Sequence, residues 1–221
     1  MNNNYLKFLK LILKKNTLLR VLQIYECSSI SLYGNSIEFG AIDNKDKTFS
    51  NFVKGKSKFH YSNKKSNEKL KVFYSDLTKK LNIPSKKYNN VLFFNILEHL
   101  PEYKLAFSEI YRIMKKGGFF FGSVPFIYQI HAAPNDYFRF SKQFLESNLK
   151  KYGFKKAKVK ALGFGPFTAS YSLLWPYLSF LPLLSQICLL LAYILDSFIQ
   201  IFVKTDLKEI FPVGYFFITK K

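Results

Sequence analysis

The chain alternates short apolar runs with amphipathic segments between Ser36 and Gly163. Apolar runs of this length are typical of buried strands, and "NVLFF" is continuous, as in a central parallel strand. We therefore predict strands at 36–39, 58–61, 71–74, 90–94, 119–124 and 156–162, and a last strand at Gly214–Lys221.

Helical segments separate several of these strands. A helix is predicted over 101–116, where Gly117-Gly118 ends it. Its predicted buried positions are Ala106, Ile110, Ile113 and Met114. A second helix is predicted from Ser141, as its N-cap, to Tyr152. The polar stretch Lys45–Lys71 predicts a loop or a weak helix.

Strands that alternate with helices predict an α/β fold, with a mostly parallel sheet covered by helices on both faces. Ligands bind such sheets beyond the carboxyl ends of the strands, near the point where the strand order reverses. The segment "SIEFGAIDNKD", which begins at Ser36, and the strand ends at Tyr74, Phe94 and Val124 are therefore predicted to border one crevice.

An apolar segment from Phe164 to Leu195 contains no charged residue. A single membrane crossing is excluded if Gly214–Lys221 returns to the same sheet, and two crossings need about 40 apolar residues, more than the segment offers. In its second half, Ser185, Leu189, Ala192, Asp196 and Gln200 share one narrow polar stripe. We predict a helical hairpin between the last two strands that lies in one membrane leaflet. Burial on the domain or in a dimer is the alternative.

The formal net charge of +20 is compatible with an anionic membrane or with nucleic acid. Almost all of the positive charge is lysine, and base reading relies on arginine, so the composition argues against nucleic acid. A merely solvated basic surface also remains open. The amphipathic segment Tyr5–Lys15 predicts a helix that either packs on the domain or lies on lipid.

Cysteine and histidine are sparse. Cys27 and Cys188 are far apart, which predicts no disulfide and suits the reducing cytoplasm. The three histidines are scattered, so we predict no metal site. The sequence does not indicate the oligomeric state.

The segment from Asn89 to Phe126, "NNVLFFNILEHLPEYKLAFSEIYRIMKKGGFFFGSVPF", resembles the class I S-adenosylmethionine-dependent methyltransferases, of the type 11-like kind. It has "LEH" after a strand and then the family's "h-x-E-h-x-R-h-h-K-x-G-G" spacing, with Glu109 and Arg112. Val124–Ser141, "VPFIYQIHAAPNDYFRFS", resembles a subgroup pattern that follows the next strand. The resemblance implies a Rossmann-like, seven-stranded sheet with an antiparallel last strand, and S-adenosyl-L-methionine as the cofactor.

The resemblance also implies cofactor-binding residues. Glu38, Phe39 and Gly40 match the first motif "[DE]-h-G", whereas its next glycines fall at Ile42 and Asn44 and depart from the family. The other implied cofactor-binding positions are Asn63 for the ribose (with Ser62 as the alternative), Asp76 and Leu77 for the adenine, and Asn95 for the pocket wall.

The loop after the fifth strand carries the predicted acceptor side. His131 and Asp136 are the predicted catalytic residues, because a histidine beside a carboxylate serves as a general base. A network that only braces the loop is the alternative. We interpret Glu98-His99 as a helix-start pair without substrate contact. The predicted substrate-side residues are Tyr128, Tyr137 and Arg139.

Together these features predict methyl transfer to a small-molecule, lipid-linked or glycan-pathway acceptor, by a peripheral or monotopic protein at the cytoplasmic face of a membrane. A catalytically degenerate, membrane-associated binding module is the alternative, because of Ile42, Asn44 and Asn63. A nucleic-acid methyltransferase or binder is a weaker alternative. The predicted segments are 1–35 (lead-in with the amphipathic helix), 36–163 (core), 164–210 (insertion) and 211–221 (final strand).

Overall fold

The structure of the chain, a computed structural model, describes residues 16–40, 48–69, 71–132 and 135–221. These residues form two compact units. The first comprises the described residues of Glu26–Val124, His131–Lys160 and Phe216–Lys221, and the second those of Met1–Tyr25, Pro125–Ile130 and Ala161–Tyr215. The predicted helix at Tyr5–Lys15 lies outside the described residues, and the predicted division into four segments stays a prediction.

The strands form one seven-stranded sheet. They are β1 Gly34–Phe39, β2 Ser57–Asn63, β3 Val72–Tyr74, β4 Tyr88–Phe94, β5 Met114–Pro125, β6 Lys155–Leu162 and β7 Gly214–Lys220. The order is β3-β2-β1-β4-β5-β7-β6, and the pairs among β1 to β5 are parallel. β7 runs antiparallel to β5, because Val213 bonds to Phe126 and Lys221 bonds to Gly117. The predicted Rossmann-like sheet of seven strands is confirmed.

The helices that the structure describes cover most of the predicted helical segments. They are α1 Leu18–Cys27, α2 Tyr103–Ile113, α3 Lys142–Lys151, α4 Pro166–Leu178, α5 Pro182–Phe202 and α6 Leu207–Ile210, with 3₁₀ helices at Phe49–Phe52 and Leu97–His99. The described part of the polar stretch contains the 3₁₀ helix Phe49–Phe52 and the predicted second strand, β2, with turns and loops between them and after β2.

The end of α2 corrects a prediction. Ala106, Ile110 and Ile113 are buried as predicted, but the helix ends at Ile113 rather than at residue 116, and β5 begins at Met114. The glycine pair lies inside this strand because β5 runs close to β4. A Cβ added to Gly118 would lie only 2.7 Å from the backbone oxygen of Asn89.

Helix α3 begins and ends as predicted. The Ser141 hydroxyl caps it by accepting a hydrogen bond from the Phe144 amide at 3.3 Å. Gly153 follows the helix with a φ of +88°, in the left-handed region that favours glycine. Leu145 and Leu149 point inward.

The second unit contains the predicted helical hairpin, formed by α4 and α5. The Val213 amide donates to the Leu162 carbonyl at 2.8 Å, so the chain leaves the sheet at the end of β6 and returns to the same point before β7. Ser185, Ala192 and Asp196 of the predicted stripe are buried. The insertion between the last two strands is therefore confirmed as a helical hairpin.

Candidate active site

The carboxyl ends of four adjacent strands meet at one edge of the sheet. Phe39, the last residue of β1, pairs with Ser62 of β2 and with Phe93 of β4, and Asn63 of β2 pairs with Tyr74, the last residue of β3. Since neighbouring strands are about 4.8 Å apart, the residues that follow these strands form a row of about 15 Å. The row includes the boundary between β1 and β4, where the strand order reverses and ligands bind α/β sheets.

The turn after β1 requires a glycine. Gly40 has a φ of +72°, and a Cβ added there would lie 2.9 Å from Cδ1 of Ile96, in the turn after β4. The two turns therefore approach each other closely at the strand-order boundary, where α/β sheets bind ligands.

Glu38 of the predicted first motif is buried and binds the start of the 3₁₀ helix Phe49–Phe52. Its Oε1 accepts a hydrogen bond from the Phe49 amide at 2.7 Å, and its Oε2 accepts one from the Ser50 amide at 2.9 Å. The side chain of Phe39 packs edge-on against Phe93 in the core. The motif positions Ile42 and Asn44 lie outside the described residues.

The positions after β2 and β3 carry the next two predicted cofactor residues. Asn63 is half-buried and its Oδ1 accepts from the Lys64 amide at 2.7 Å, whereas Ser62 is fully buried and bonds to the Ser75 hydroxyl. Asn63 is thus the more accessible of the two alternatives. Asp76 uses Oδ1 to accept from the amide and the hydroxyl of Thr78, and these bonds lower the pKa of its carboxyl.

The turn after β4 begins with Asn95, which has a φ of +54°. Asparagine is among the few residues that adopt this left-handed conformation at modest cost. Its backbone amide donates to the Ser123 carbonyl of β5 at 2.8 Å, which holds the turn in line with the sheet edge. Leu77, the remaining predicted adenine contact, is half-buried.

A second cluster follows β4 and centres on Glu98. Its side chain is fully buried, and neither carboxylate oxygen has a hydrogen-bond partner among the described residues. Burial raises the pKa of this carboxyl to about 8. Oε1 lies 3.8 Å from Nε2 of His99 and 3.9 Å from Nε2 of His131, and the two imidazole rings meet edge to face.

The loop after β5 is attached directly to this turn. Nδ1 of His99 lies 2.6 Å from the Asn135 carbonyl, and the Tyr137 amide donates to the Glu98 carbonyl at 2.8 Å. The predicted acceptor-side loop and the "LEH" segment therefore form one structure. The Tyr137 side chain is 46% exposed.

Asp136 lies beside His131, the other residue that was predicted to be catalytic. Its Oδ2 accepts from the His131 amide at 3.0 Å and lies 3.4 Å from Nδ1 of the same residue. Arg139 donates to both carboxylate oxygens of Asp136, and this lowers the pKa of Asp136 to about 2. Arg139 is thus engaged with Asp136, and Tyr128 is half-buried in the other unit.

Sequence reasoning left Glu98 and His99 out of the predicted site. It treated the histidines as scattered, but folding brings the rings of His99 and His131 to 4.9 Å. The prediction of no metal site, which was based on this scattering, stays a prediction. A usable signal was present, because a Glu-His pair directly after a central strand lies where α/β sheets bind ligands.

Glu109 and Arg112, which belong to the methyltransferase-like spacing, have a structural role. Arg112 forms a bidentate ion pair with Glu109, at 2.8 and 2.7 Å, and also donates to the carbonyls of Ile83 and Leu81. The Leu81 amide donates to the same carboxylate at 2.7 Å. This pair therefore fixes the connection between β3 and β4 to helix α2.

The fold described above agrees with the proteins to which this chain is similar. The family described as "Methyltransferase domain" matches residues 51–122. A possible histamine N-methyltransferase from Thermotoga maritima is 14% identical, with a TM-score of 0.57 and coverage of 99% of this chain and 96% of that chain. A SAM-dependent methyltransferase from Archaeoglobus fulgidus is 14% identical, with a TM-score of 0.55 and coverages of 92% and 93%.

A third similar structure is phosphoethanolamine N-methyltransferase 2 from Haemonchus contortus, in complex with S-adenosyl-L-methionine. It is 14% identical, with a TM-score of 0.57 and coverage of 92% of this chain and 52% of that chain, so this chain spans about half of its length. No curated protein matches the chain. At this level of identity the solved structures establish the fold.

Proposed function

We propose that this chain, which has the fold and the family match of the class I S-adenosylmethionine-dependent methyltransferases, binds S-adenosyl-L-methionine and transfers its methyl group to an acceptor. The observation that carries the proposal is the row of Gly40, Asn63, Asp76 and Asn95 along one edge of the sheet. The Haemonchus contortus enzyme, whose structure holds the same cofactor, has the same fold.

The residues in this row suit a nucleoside carrying an amino acid. Gly40 has a φ of +72°, which favours a residue without a side chain, so backbone alone lines the site there. Asn63 offers an amide to ribose hydroxyls, and Asp76 offers a carboxylate that can accept from an adenine amino group. Glu38 acts indirectly, by holding the start of the 3₁₀ helix Phe49–Phe52 through the Phe49 and Ser50 amides.

When bound, S-adenosyl-L-methionine supplies a methyl group already activated for displacement. The chain then has to bind, orient and desolvate the reactants. His131 and Asp136 remain the proposed acceptor-side residues, with Tyr128, Tyr137 and Arg139 as further proposed contacts. We propose that the acceptor is a small, lipid-linked or glycan-pathway molecule.

Calorimetry with S-adenosylhomocysteine tests the cofactor site in the full chain. Asp76→Asn is expected to weaken binding about tenfold, because it removes a charged acceptor worth about 1.5 kcal/mol. Asp206→Asn is the matched control, since Asp206 likewise caps the amide two residues onward, at Lys208, and should leave the affinity unchanged. Well-folded wild type that shows no binding would refute the proposal.

Methyl incorporation separates an enzyme from a degenerate binding module. Radiolabelled S-adenosyl-L-methionine is incubated with the chain and a total membrane lipid extract. Labelled lipid that decreases with Asp76→Asn, at a cofactor concentration near the wild-type Kd, supports methyl transfer. Cofactor binding without labelled product, in lipid or in water-soluble extract, supports the degenerate module instead.

We also propose that the α4–α5 hairpin is embedded in one leaflet of an anionic membrane. The helices turn their polar groups toward each other: the Tyr171 hydroxyl bonds to the Ser185 hydroxyl at 2.8 Å, and Asp196 is 1% exposed. Large apolar side chains face outward instead, including Tyr177, Leu183 and Ile201, each more than 70% exposed. A water-soluble hairpin has the opposite polarity.

The dimensions of the hairpin favour a leaflet over a full crossing. Helix α5 is long and apolar enough to cross a membrane, and only 22% of its apolar window is buried. Helix α4 has 13 residues, which span about 20 Å, short of the bilayer core of about 30 Å. Because the chain returns to the same sheet, α4 would have to supply the second crossing. The net charge of +20 favours an anionic surface.

Liposome flotation tests the leaflet proposal with phosphatidylglycerol vesicles and with neutral phosphatidylcholine vesicles. The double change Tyr177→Glu and Leu183→Glu is expected to abolish flotation, since it places two charges in the apolar layer. Tyr33→Glu, at a 66% exposed position outside the hairpin, should float like wild type. Equal flotation of all three proteins refutes the proposal, as does a lipid-independent dimer that fails to float.

A further inference from the structure

We propose that Glu98, His99 and His131 form a binding site for one divalent transition-metal ion. Each offers a ligand atom, and these atoms all lie within 4.8 Å of one another. Glu98 and His99 lie in the 3₁₀ helix Leu97–His99 after β4, and His131 lies in the loop after β5.

The burial of Glu98 is the first argument. A buried carboxylate without a hydrogen-bond donor is costly, and neither oxygen of Glu98 has one among the described residues. Arg139, the arginine of this loop, donates to Asp136 instead. A cation bound at Oε1 would give the buried carboxylate a partner and balance its charge.

The spacing around the carboxylate is the second argument. Oε1 lies 3.8 Å from Nε2 of His99 and 3.9 Å from Nε2 of His131, which is too long for hydrogen bonds. Bonds of about 2.0–2.2 Å to a shared ion place neighbouring ligand atoms about 3.0–3.6 Å apart. The two distances from Oε1 exceed this range by a few tenths of an ångström, and all three ligand atoms lie within 4.8 Å of one another. Side-chain movements of about 1 Å therefore bring the three atoms onto one ion.

The partners of the other ring nitrogens are the third argument. Nδ1 of His99 lies 2.6 Å from the Asn135 carbonyl, so this nitrogen carries the hydrogen and Nε2 carries the lone pair. Nδ1 of His131 lies 3.4 Å from the Asp136 carboxylate, which Arg139 fixes in turn. Metal-binding histidines in proteins are oriented in this way by a carbonyl or a carboxylate.

The ligand set indicates the kind of ion. Two imidazoles and one carboxylate suit Zn²⁺, Fe²⁺, Mn²⁺ or Co²⁺ rather than Mg²⁺, which prefers an all-oxygen shell. Three protein ligands leave at least one position open. The His131 side chain is 32% exposed, so the open side faces an accessible surface.

An ion here would change how the acceptor is activated, a consequence that rests on the proposed methyl transfer. An acceptor oxygen bound at the open position would have its pKa lowered by the ion. His131 would then be a ligand, and Asp136 would be a positioning residue that acts through it. The metal site itself stands whether or not the chain transfers methyl groups.

Metal binding is tested on the full-length, tag-free chain after dialysis against a chelator. Co²⁺ is titrated in excess Mg²⁺ while the visible absorption is recorded, because the band reports coordination by nitrogen. We expect one Co²⁺ per chain, displaced by Zn²⁺. His99→Ala and His131→Ala should each lower the affinity at least 100-fold, and Asp136→Asn about 10- to 100-fold.

His60→Ala is the matched control, since His60 packs against Tyr88 away from the cluster and its loss should leave the titration unchanged. Calorimetry with S-adenosylhomocysteine on the same samples shows that each variant is folded, and it reports on the cofactor site separately. The metal proposal is overturned if wild type takes up no Co²⁺, if Mg²⁺ competes equally, or if both histidine variants retain wild-type affinity.

Discussion

Asp196 allows the architecture of the apolar hairpin to be tested at a single carboxylate. Its Oδ1 accepts from the Phe167 amide and its Oδ2 from the Thr168 amide, both at 2.9 Å. These amides belong to the first turn of α4, whose N-cap position, Gly165, has no side chain to cap them. A residue of α5 thus caps α4, and Asp196→Ala should release that turn.

The size of the effect follows from burial. A buried amide that loses its only acceptor costs about 1–3 kcal/mol. The Thr168 bond is fully buried and the Phe167 bond is partly buried, so water replaces the acceptor better at Phe167. We take about 2 kcal/mol for Thr168 and about 1 kcal/mol for Phe167. The sum of about 3 kcal/mol corresponds to about 100-fold faster hydrogen exchange.

Hydrogen exchange read by mass spectrometry, with the chain in lipid or detergent, measures this directly. Peptides that cover the start of α4 should lose protection in Asp196→Ala, while peptides from β4 should not change. The reasoning is refuted if the start of α4 keeps its protection within about twofold, since the two amides would then owe nothing to Asp196.

Gly165→Ala provides a second route to the same contact. The backbone of Gly165 is extended, which any residue adopts, but an added Cβ would lie 2.6 Å from Oδ1 of Asp196. Gly165→Ala alone should therefore displace the carboxylate and expose the same amides. In the Asp196→Ala background it should add little, and additive losses would contradict the proposed contact.

Three further predictions concern the first unit, which contains most of the sheet. Glu109→Gln should lower stability by about 1–3 kcal/mol at pH 7 in urea unfolding, because Arg112 loses its ionised partner. The bond to Arg112 lowers the pKa of Glu109, so this stabilisation is present above its ordinary pKa and should disappear as the pH falls below about 4. Gly40→Ala should weaken S-adenosylhomocysteine binding at least tenfold by calorimetry, whereas Gly153→Ala, also at a positive φ, should lower stability and leave affinity unchanged. Ser141→Ala should lower stability by about 1 kcal/mol in urea unfolding, through the lost cap; a Cm equal to that of wild type would contradict this.

Local patterns predicted most of the sheet and two of its helices. Continuous apolar runs are recognisable because a strand buried on both faces needs them, and the Ser141 cap is recognisable because a helix start needs an acceptor. The predicted end of α2 was wrong. Gly118 lies in β5 and approaches Asn89 of β4, and this contact between strands cannot be recognised from a local sequence pattern.

The segment around "LEH" was sufficient to recognise the resemblance to class I methyltransferases and to predict the cofactor. The family match and the strand order agree with this resemblance. The role of Glu109 and Arg112 could not be predicted from the sequence, because their partners Ile83 and Leu81 lie 29 and 31 residues before Arg112, in the connection between β3 and β4. A motif residue that looks functional in a sequence can serve only to hold a loop.

The sequence by itself determined the alternation of strands and helices, the uncharged insertion and the family resemblance, because each depends on residue type at close spacing. Only the tertiary structure decided that His99 and His131 meet beside the buried carboxylate of Glu98. It also decided that Asp196 caps the first turn of α4, 28 and 29 residues earlier in the chain. Both depend on long-range contacts. Parallel strands bring the turn after β4 beside the loop after β5. In the hairpin, polar groups of α4 and α5 form hydrogen bonds with each other.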